Sequence, residues 1–275
     1  MQDKVLHIEN LTKTFTKTGN KRNRLENEQY TVLDELTFSV SANKITALIG
    51  GNGSGKTTLF NLISSFIKPE KGQIMFYNGS THVLNKLQPY QIARIGIGRL
   101  FQDNHIFQQH TVLDNMLIAD DNLFGENALH AIFKLKKLKK IEVDRIEEAR
   151  NIFKDLFGNE NEFWKKRNNI AGSLSYGQQR LLGLARLLMA DYKLILLDEP
   201  TAGVNPKINE QIIELIKKMV QYEKCTVFLI EHNMNFVSKV ADICAFMNRG
   251  KIENIGTPEL VINNEYVRKT YLGVL

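Results

Sequence analysis

Three stretches of this 275-residue chain have residue types and spacings suited to phosphate chemistry. The first, Gly50-Gly51-Asn52-Gly53-Ser54-Gly55-Lys56-Thr57-Thr58, fits the G-x-x-x-x-G-K-[ST] pattern of a phosphate-binding loop. Its glycines let consecutive backbone N–H groups converge on one anion, and a following helix N-terminus adds partial positive charge. Lys56 would reach the β- and γ-phosphates of a nucleotide, and the Thr57 hydroxyl would ligate Mg²⁺. The second stretch, Leu194-Ile195-Leu196-Leu197-Asp198-Glu199, is an apolar run ending in two acids. Asp198 can be delivered to the Mg²⁺ shell, and Glu199, facing the other way, can polarise an attacking water. A second apolar run ends at Glu231-His232, where the imidazole could meet the γ-phosphate or its water; a structural histidine is the alternative. The third, Leu174-Ser175-Tyr176-Gly177-Gln178-Gln179, precedes a helical pattern and offers another anion site, from Ser175 and the N–H groups around Gly177.

The elements that must hold these groups are readable from periodicity. Ile45–Ile49 reads as a short buried strand before the loop, and Leu59–Ile63 as the first turns of a helix after it. Strands are also expected over Val5–Asn10, Tyr30–Val40, Gln73–Tyr77, Leu194–Leu197 and Thr226–Ile230. A final hairpin pairs Ile243–Met247 with Lys251–Asn254 across Asn248-Arg249-Gly250, and Ile208, Ile212, Leu215, Ile216 and Met219 mark one face of a helix. Thr16–Gln29 reads as a polar hairpin loop whose Lys21, Arg22 and Arg24 are solvated, with an interaction surface as the alternative, and Lys68–Gly72 as a turn. From about residue 88 to 188 the pattern turns helical with few strand signals. Gly96-Ile97-Gly98 lacks the third glycine and the preceding strand of a dinucleotide fingerprint. Ala128–Arg150 reads as charged helix; Lys134 to Lys140 form a basic run that acidic residues 142–148 neutralise, with contact to lipid headgroups as the alternative. Trp164 has no assigned role.

Bulk properties set limits. Hydrophobic residues make up 43% and charged residues 24% of the chain, as in ordinary globular proteins. The net charge of +6 permits contact with phosphates, nucleic acid or anionic lipid but selects none. No signal-peptide pattern opens the sequence, no apolar run is long enough for a bilayer, and Cys225 and Cys244 read as reduced core residues. These features point to a cytoplasmic protein.

Together the stretches resemble an ATP-binding cassette (ABC) ATPase over essentially the whole chain. Leu174–Gln178 is similar to the Leu-Ser-x-Gly-Gln signature, with Tyr176 where Gly is commoner. The resemblance implies an α/β fold: a P-loop NTPase (RecA-like) core with a mostly parallel sheet, an N-terminal antiparallel β subdomain, and an inserted helical subdomain. Residues 1–87 and 189–275 would form the core with the β subdomain, and 88–188 the insert carrying the signature. By position, Gly50–Thr58 matches the Walker A loop and Leu194–Asp198 the Walker B strand. Glu199 matches the catalytic glutamate, His232 the switch histidine, and Gln102 the Q-loop glutamine that touches Mg²⁺ or water. Phe15 stands where an aromatic stacks on adenine, with Tyr30 as the alternative. Ser175, Gly177 and Gln178 would close on ATP held by a second cassette, a copy of this one or a different one. Phe101–Ala119, the Leu-Ser-Tyr-Gly-Gln-Gln form, and Thr201-Ala202-Gly203-Val204-Asn205-Pro206 resemble ATP-binding subunits of branched-chain amino acid importers. Asn205 stands where Asp is usual in the wider family.

The expected function follows from that resemblance: an ATPase that closes as a dimer on two ATP·Mg²⁺ and drives separate transmembrane permease subunits, lying peripherally on the inner face of the cell membrane. Contact with the permease is expected around Gln102–Asn115, where Ile106 and Phe107 either line a groove or pack in the core. No direct nucleic-acid contact is expected. The alternatives are an exporter ATPase, a soluble ABC ATPase, or a scaffold that binds ATP without turnover. The chain lacks the long coiled coil of repair members and the second cassette of translation members, and it has both Glu199 and His232, which a scaffold would not need.

Overall fold

Strand alternation explains the architecture. In the computed structural model, which describes residues 4–17, 28–103, 105–119, 135–157 and 162–272, Ile45–Ile49 (β3), Leu194–Asp198 (β7) and Thr226–Ile230 (β8) are buried at every position. Successive side chains leave a strand on opposite faces, so each strand feeds two cores. Ile45, Ala47, Ile49, Ile195, Leu197, Val227 and Leu229 join one apolar cluster. Leu48, Leu194, Leu196, Phe228 and Ile230 join the other. A sheet covered on both faces takes apolar residues throughout, which is why these runs do not alternate in polarity.

The central sheet has six strands in the order β10-β9-β3-β8-β7-β6. Here β6 is Ile97–Leu100, β9 Ile243–Asn248 and β10 Lys251–Gly256. All neighbours are parallel except β9 and β10, which form the expected hairpin. The first face carries the helices Tyr176–Leu188, Pro206–Glu223 and Met234–Val240. On the other face the helix Lys56–Ile63 lies beneath a second sheet of four antiparallel strands, β2-β1-β4-β5. These are β1 Lys4–Lys17, β2 Glu28–Ser41, β4 Lys71–Tyr77 and β5 Thr81–Val83. Phe60, on the helix, meets Phe228 of β8 with ring centroids 5.1 Å apart and is fully buried.

Four expectations change. Ile97–Leu100, inside the stretch read as helical, is the edge strand of the core sheet, paired with β7. Gly96, Gly98 and Arg99 hid its apolar pattern. Gly98 is glycine because a Cβ there would come within 2.3 Å of the Tyr192 ring. The arms of the first hairpin reach Lys17 and Glu28, with Phe15 opposite Tyr30 and Thr16 opposite Gln29, so Thr16 and Gln29 are strand rather than loop. Lys71 and Gly72 open β4 rather than closing a turn. The charged helix is described from Leu135 to Phe157, past the expected end at Arg150. Lys21, Arg22, Arg24 and Lys134 lie outside the described residues, and of the basic run only the Lys140 side chain is described, as exposed. Trp164 packs on Phe153 and under Arg167, 5.0 Å from the ring, a structural role. Both cysteines are buried free thiols, and burial pushes the Cys244 thiol up to about 12. Among the described residues no helix is long and apolar enough to cross a membrane.

Candidate active site

The parallel register assembles the site. Leu48 lies opposite Ile230, Ile230 opposite Asp198, and Leu197 opposite Leu100. The segments that follow these strands therefore emerge side by side at their carboxyl ends, where ligands of open α/β sheets bind. The phosphate-type loop follows β3, Gln102 follows β6, Asp198 ends β7 with Glu199 next, and His232 follows β8. An open cavity of roughly 420 Å³ is lined by Phe15, Tyr30, Asn52, Gly53, Gly55, Lys56, Thr57, Thr58, Glu199 and His232.

The loop has the shape its glycines permit. Gly55 precedes the helix with φ 107°, a left-handed conformation that side chains resist, and a Cβ there would approach Leu33 Cδ2 at 2.8 Å. This position offers no side-chain cap, so the first-turn N–H groups remain directed at a prospective anion. Lys56 Nζ donates to Gly50 O at 2.8 Å and Gly51 O at 2.9 Å, which folds the ammonium over the loop. Burial lowers its pKa, and the nearby Glu199 and Asp198 oppose that shift. Ser54 is buried beneath the loop, and Thr57 is exposed at its rim.

Opposite Lys56, three side chains converge. Gln102 Nε2 donates to Glu199 Oε2 at 3.1 Å, and His232 Nε2 lies 3.3 Å from Glu199 Oε1. Glu199 itself has φ 48°, an uncommon conformation for a non-glycine residue. Such local strain gathers at functional sites. Phe15 and Tyr30 pair across β1 and β2 with centroids 6.0 Å apart and planes 28° off parallel, so both rings face the cavity. Ser175, Gly177 and Gln178 are not in this cavity. Ser175 caps the helix Tyr176–Leu188 by accepting from Gln178 N at 3.3 Å, and its own N–H donates to Gln178 Oε1 at 3.1 Å. Asn205 caps the helix Pro206–Glu223 by accepting from Ile208 N at 3.0 Å, a task Asp would perform equally well.

Four further residues carry the site and were not singled out for it in the sequence. Arg180, fully buried, donates to the carbonyls of Phe101, Gln102, Asp198, Glu199 and Pro200 at 2.6–3.1 Å. Burial lowers its pKa, against the pull of Tyr176, Glu231, Asp198 and Glu199. Arg99 in β6 pairs with Asp198 Oδ2 at 3.1 Å and donates to Asn61 Oδ1 at 2.9 Å. Glu231 accepts from Thr201 N and Oγ1 and from the N–H groups of His232 and Asn233. Tyr271 lies against His232. An arginine inside an apolar strand or helix is the available signal, because buried guanidinium needs acceptors. Tyr271 has none.

Comparison with known proteins agrees with this geometry. The ABC transporter family model matches residues 33–202. The high-affinity branched-chain amino acid transport ATP-binding protein BraF of Pseudomonas aeruginosa is 35% identical over 238 residues, 86% of this chain and 90% of that one. The probable branched-chain amino acid transport ATP-binding protein LivG of Archaeoglobus fulgidus is 34% identical, over 98% and 96% of the two chains. Among solved structures, an ATP-binding cassette of an ABC transporter in its ADP conformation superposes with a TM-score of 0.76 at 29% identity, covering 98% of this chain and 99% of that one. A dimeric cassette in a post-hydrolysis state, bound to ADP and Pi, superposes at 0.70 with 23% identity over 92% and 98% of the chains, which shows the shared fold.

Proposed function

The chain belongs to the ABC transporter family, and from that premise we propose that it is the ATP-hydrolysing subunit of an importer for branched-chain amino acids or similar small solutes. The observation that carries the reading is one cavity holding Lys56, Thr57, Glu199 and His232 beside an aromatic pair. Adenine stacks on Phe15 and Tyr30, the phosphates lie on the loop and the helix N-terminus, and Lys56 stabilises the transferring phosphoryl group. Glu199 polarises the attacking water while His232 donates from Nε2 to the γ-phosphate or to that water.

Mg²⁺ fits the donor set. Thr57 Oγ1, Asp198 and the Gln102 amide oxygen are hard oxygen ligands, and the Gln102 amide nitrogen is already turned to Glu199, leaving its oxygen for a cation. Bound there, the ion neutralises charge developing on the β- and γ-oxygens. Arg99 holds one Asp198 oxygen, leaving the other for the ion.

Ser175, Gly177 and Gln178, displayed at a helix N-terminus outside this cavity, act on the nucleotide of a second cassette, either a copy of this chain or a related one. Closure on two ATP pulls the permease, and hydrolysis reopens the pair, a nucleotide-biased two-state switch. A groove of roughly 570 Å³ beside Gln102, lined by Phe66, Phe101, His105, Ile106, Phe107 and Ile118, takes a permease helix, and the subunit lies peripherally on the cytoplasmic face of the membrane. Affinity purification of the tagged Glu199→Gln protein with ATP and Mg²⁺ from detergent-solubilised native membranes tests the proposal. Recovery of a polytopic permease with an amino-acid-binding companion is expected. Recovery of only ribosomal or DNA-bound proteins would contradict it.

A further inference from the structure

His232 stands between two partners. Its Nε2 faces Glu199 Oε1 at 3.3 Å, and its Nδ1 is 2.8 Å from the Tyr271 hydroxyl. Tyr271 belongs to the turn Arg268–Leu272, close to the carboxyl end of the described chain, and its ring lies 15° from parallel to the imidazole. The hydroxyl also lies 3.4 Å from His232 O, a much longer contact. Other charged groups nearby are Lys56, across the cavity, and Glu231, whose carboxylate accepts from His232 N at 3.0 Å.

A neutral imidazole carries one proton on one of two nitrogens. Ionised Glu199 can only accept, and its other oxygen already accepts from Gln102. A neutral ring with its proton on Nε2 presents that proton toward Glu199 and leaves Nδ1 to accept. The only group within hydrogen-bond reach of Nδ1 among the described residues is the Tyr271 hydroxyl, whose one proton can go to Nδ1 at 2.8 Å or to His232 O at 3.4 Å, the nearer acceptor being Nδ1. We propose that Tyr271 is a positioning residue for ATP hydrolysis, fixing His232 as its Nε2–H tautomer and holding the ring plane against Glu199. The chain of donors then runs from Tyr271 through His232 to Glu199, with Gln102 donating from the other side. The phenol is suited to this role: burial first, then the charges of Glu231 and Glu199, push its pKa up to about 12, so it remains a donor at any physiological pH. A segment 39 residues away in sequence thereby sets which imidazole nitrogen can donate into the cavity. The inference rests on the reading of His232 as part of the hydrolytic site.

The test uses full-length protein labelled with ¹⁵N at histidine, with the His232 signals assigned by their loss in the His232→Gln variant. Long-range nitrogen–proton correlation reads the tautomer directly. The wild type is expected to show His232 as Nε2–H, whether or not any variant folds well. In Tyr271→Phe, which keeps the stacked ring, the tautomers should mix and kcat for ATP should fall roughly 10- to 100-fold. KM for ATP and the melting temperature should hold. A wild-type Nδ1–H tautomer would overturn the inference, as would a Tyr271→Phe variant with unchanged tautomer and kcat. A loss of turnover that appears only with a lowered melting temperature would mark a structural tyrosine and overturn it too. If His232→Gln itself hydrolyses ATP at the wild-type rate, the failure lies in the reading of His232, not in Tyr271 alone.

Discussion

Replacing Arg180 by methionine removes a side chain that donates to backbone carbonyls of both the segment after β6 and the segment after β7. Its guanidinium donates to five carbonyls, two on the Gln102 side and three on the Asp198 side. Two of these contacts, to Pro200 O and Asp198 O, are fully buried, so their acceptors cannot turn to water. Each orphaned buried acceptor costs about 1–3 kcal/mol. The partly buried carbonyls regain water, and removing a buried cation relieves some desolvation. The expected loss in Arg180→Met is therefore about 3 kcal/mol, read as a shift of the urea midpoint at constant m-value. Catalysis should suffer separately. Gln102 and Glu199 are held through their own carbonyls, and a displacement of about 1 Å in either costs on the order of 10²-fold in kcat. Arg180→Lys should be intermediate, since one ammonium cannot span acceptors spread over two segments. Destabilisation of Arg180→Met by less than about 0.5 kcal/mol, the range of a neutral surface change, together with wild-type kcat, would show that Arg180 does not hold these segments.

Truncating either aromatic of the stacked pair, Phe15→Ala or Tyr30→Ala, should weaken ATP by about 1–3 kcal/mol, the worth of one base–aromatic contact. Inorganic pyrophosphate binding should stay unchanged, and titration calorimetry with both ligands distinguishes the two. Neither buried cysteine should react with a thiol reagent in the native state at pH 8, and both should react in denaturant, as mass spectrometry of the labelled protein will report. Near-ultraviolet titration of wild type minus Tyr271→Phe should show one phenol ionising near pH 12 instead of near 10. The sign follows: its folded pKa is raised, so ionising it disfavours the folded state, and the wild type should match Tyr271→Phe in stability below pH 10 and fall behind it as pH rises through 12.

The groups proposed for catalysis were legible because their sequence signals are local. A phosphate loop announces itself by glycine spacing, and Asp198, Glu199 and His232 stand at the ends of apolar runs that suit buried strands, a signal that gained weight from following that loop in order. The residues that hold those groups were not legible, because their partners are distant in sequence. Arg180 reaches carbonyls 79 and 20 residues away, and Tyr271 reaches back 39 residues. Arg99 and Gly98 disguised β6, since one answers a buried carboxylate and the other yields space to the Tyr192 ring. The choice between Phe15 and Tyr30 was open in the sequence, and the strand pairing puts both on the same cavity.

In the mechanism proposed for this chain, Glu199 drives ATP hydrolysis in a site built by Lys56 and the loop around it. Steady-state phosphate release by wild type and Glu199→Gln, at matched and saturating ATP and Mg²⁺, addresses it directly. Turnover by the wild type and at least a 10²-fold loss in the variant are expected, with ATP affinity retained because Glu199 is not part of the phosphate loop. Equal release from both proteins, whether brisk or negligible, would contradict it.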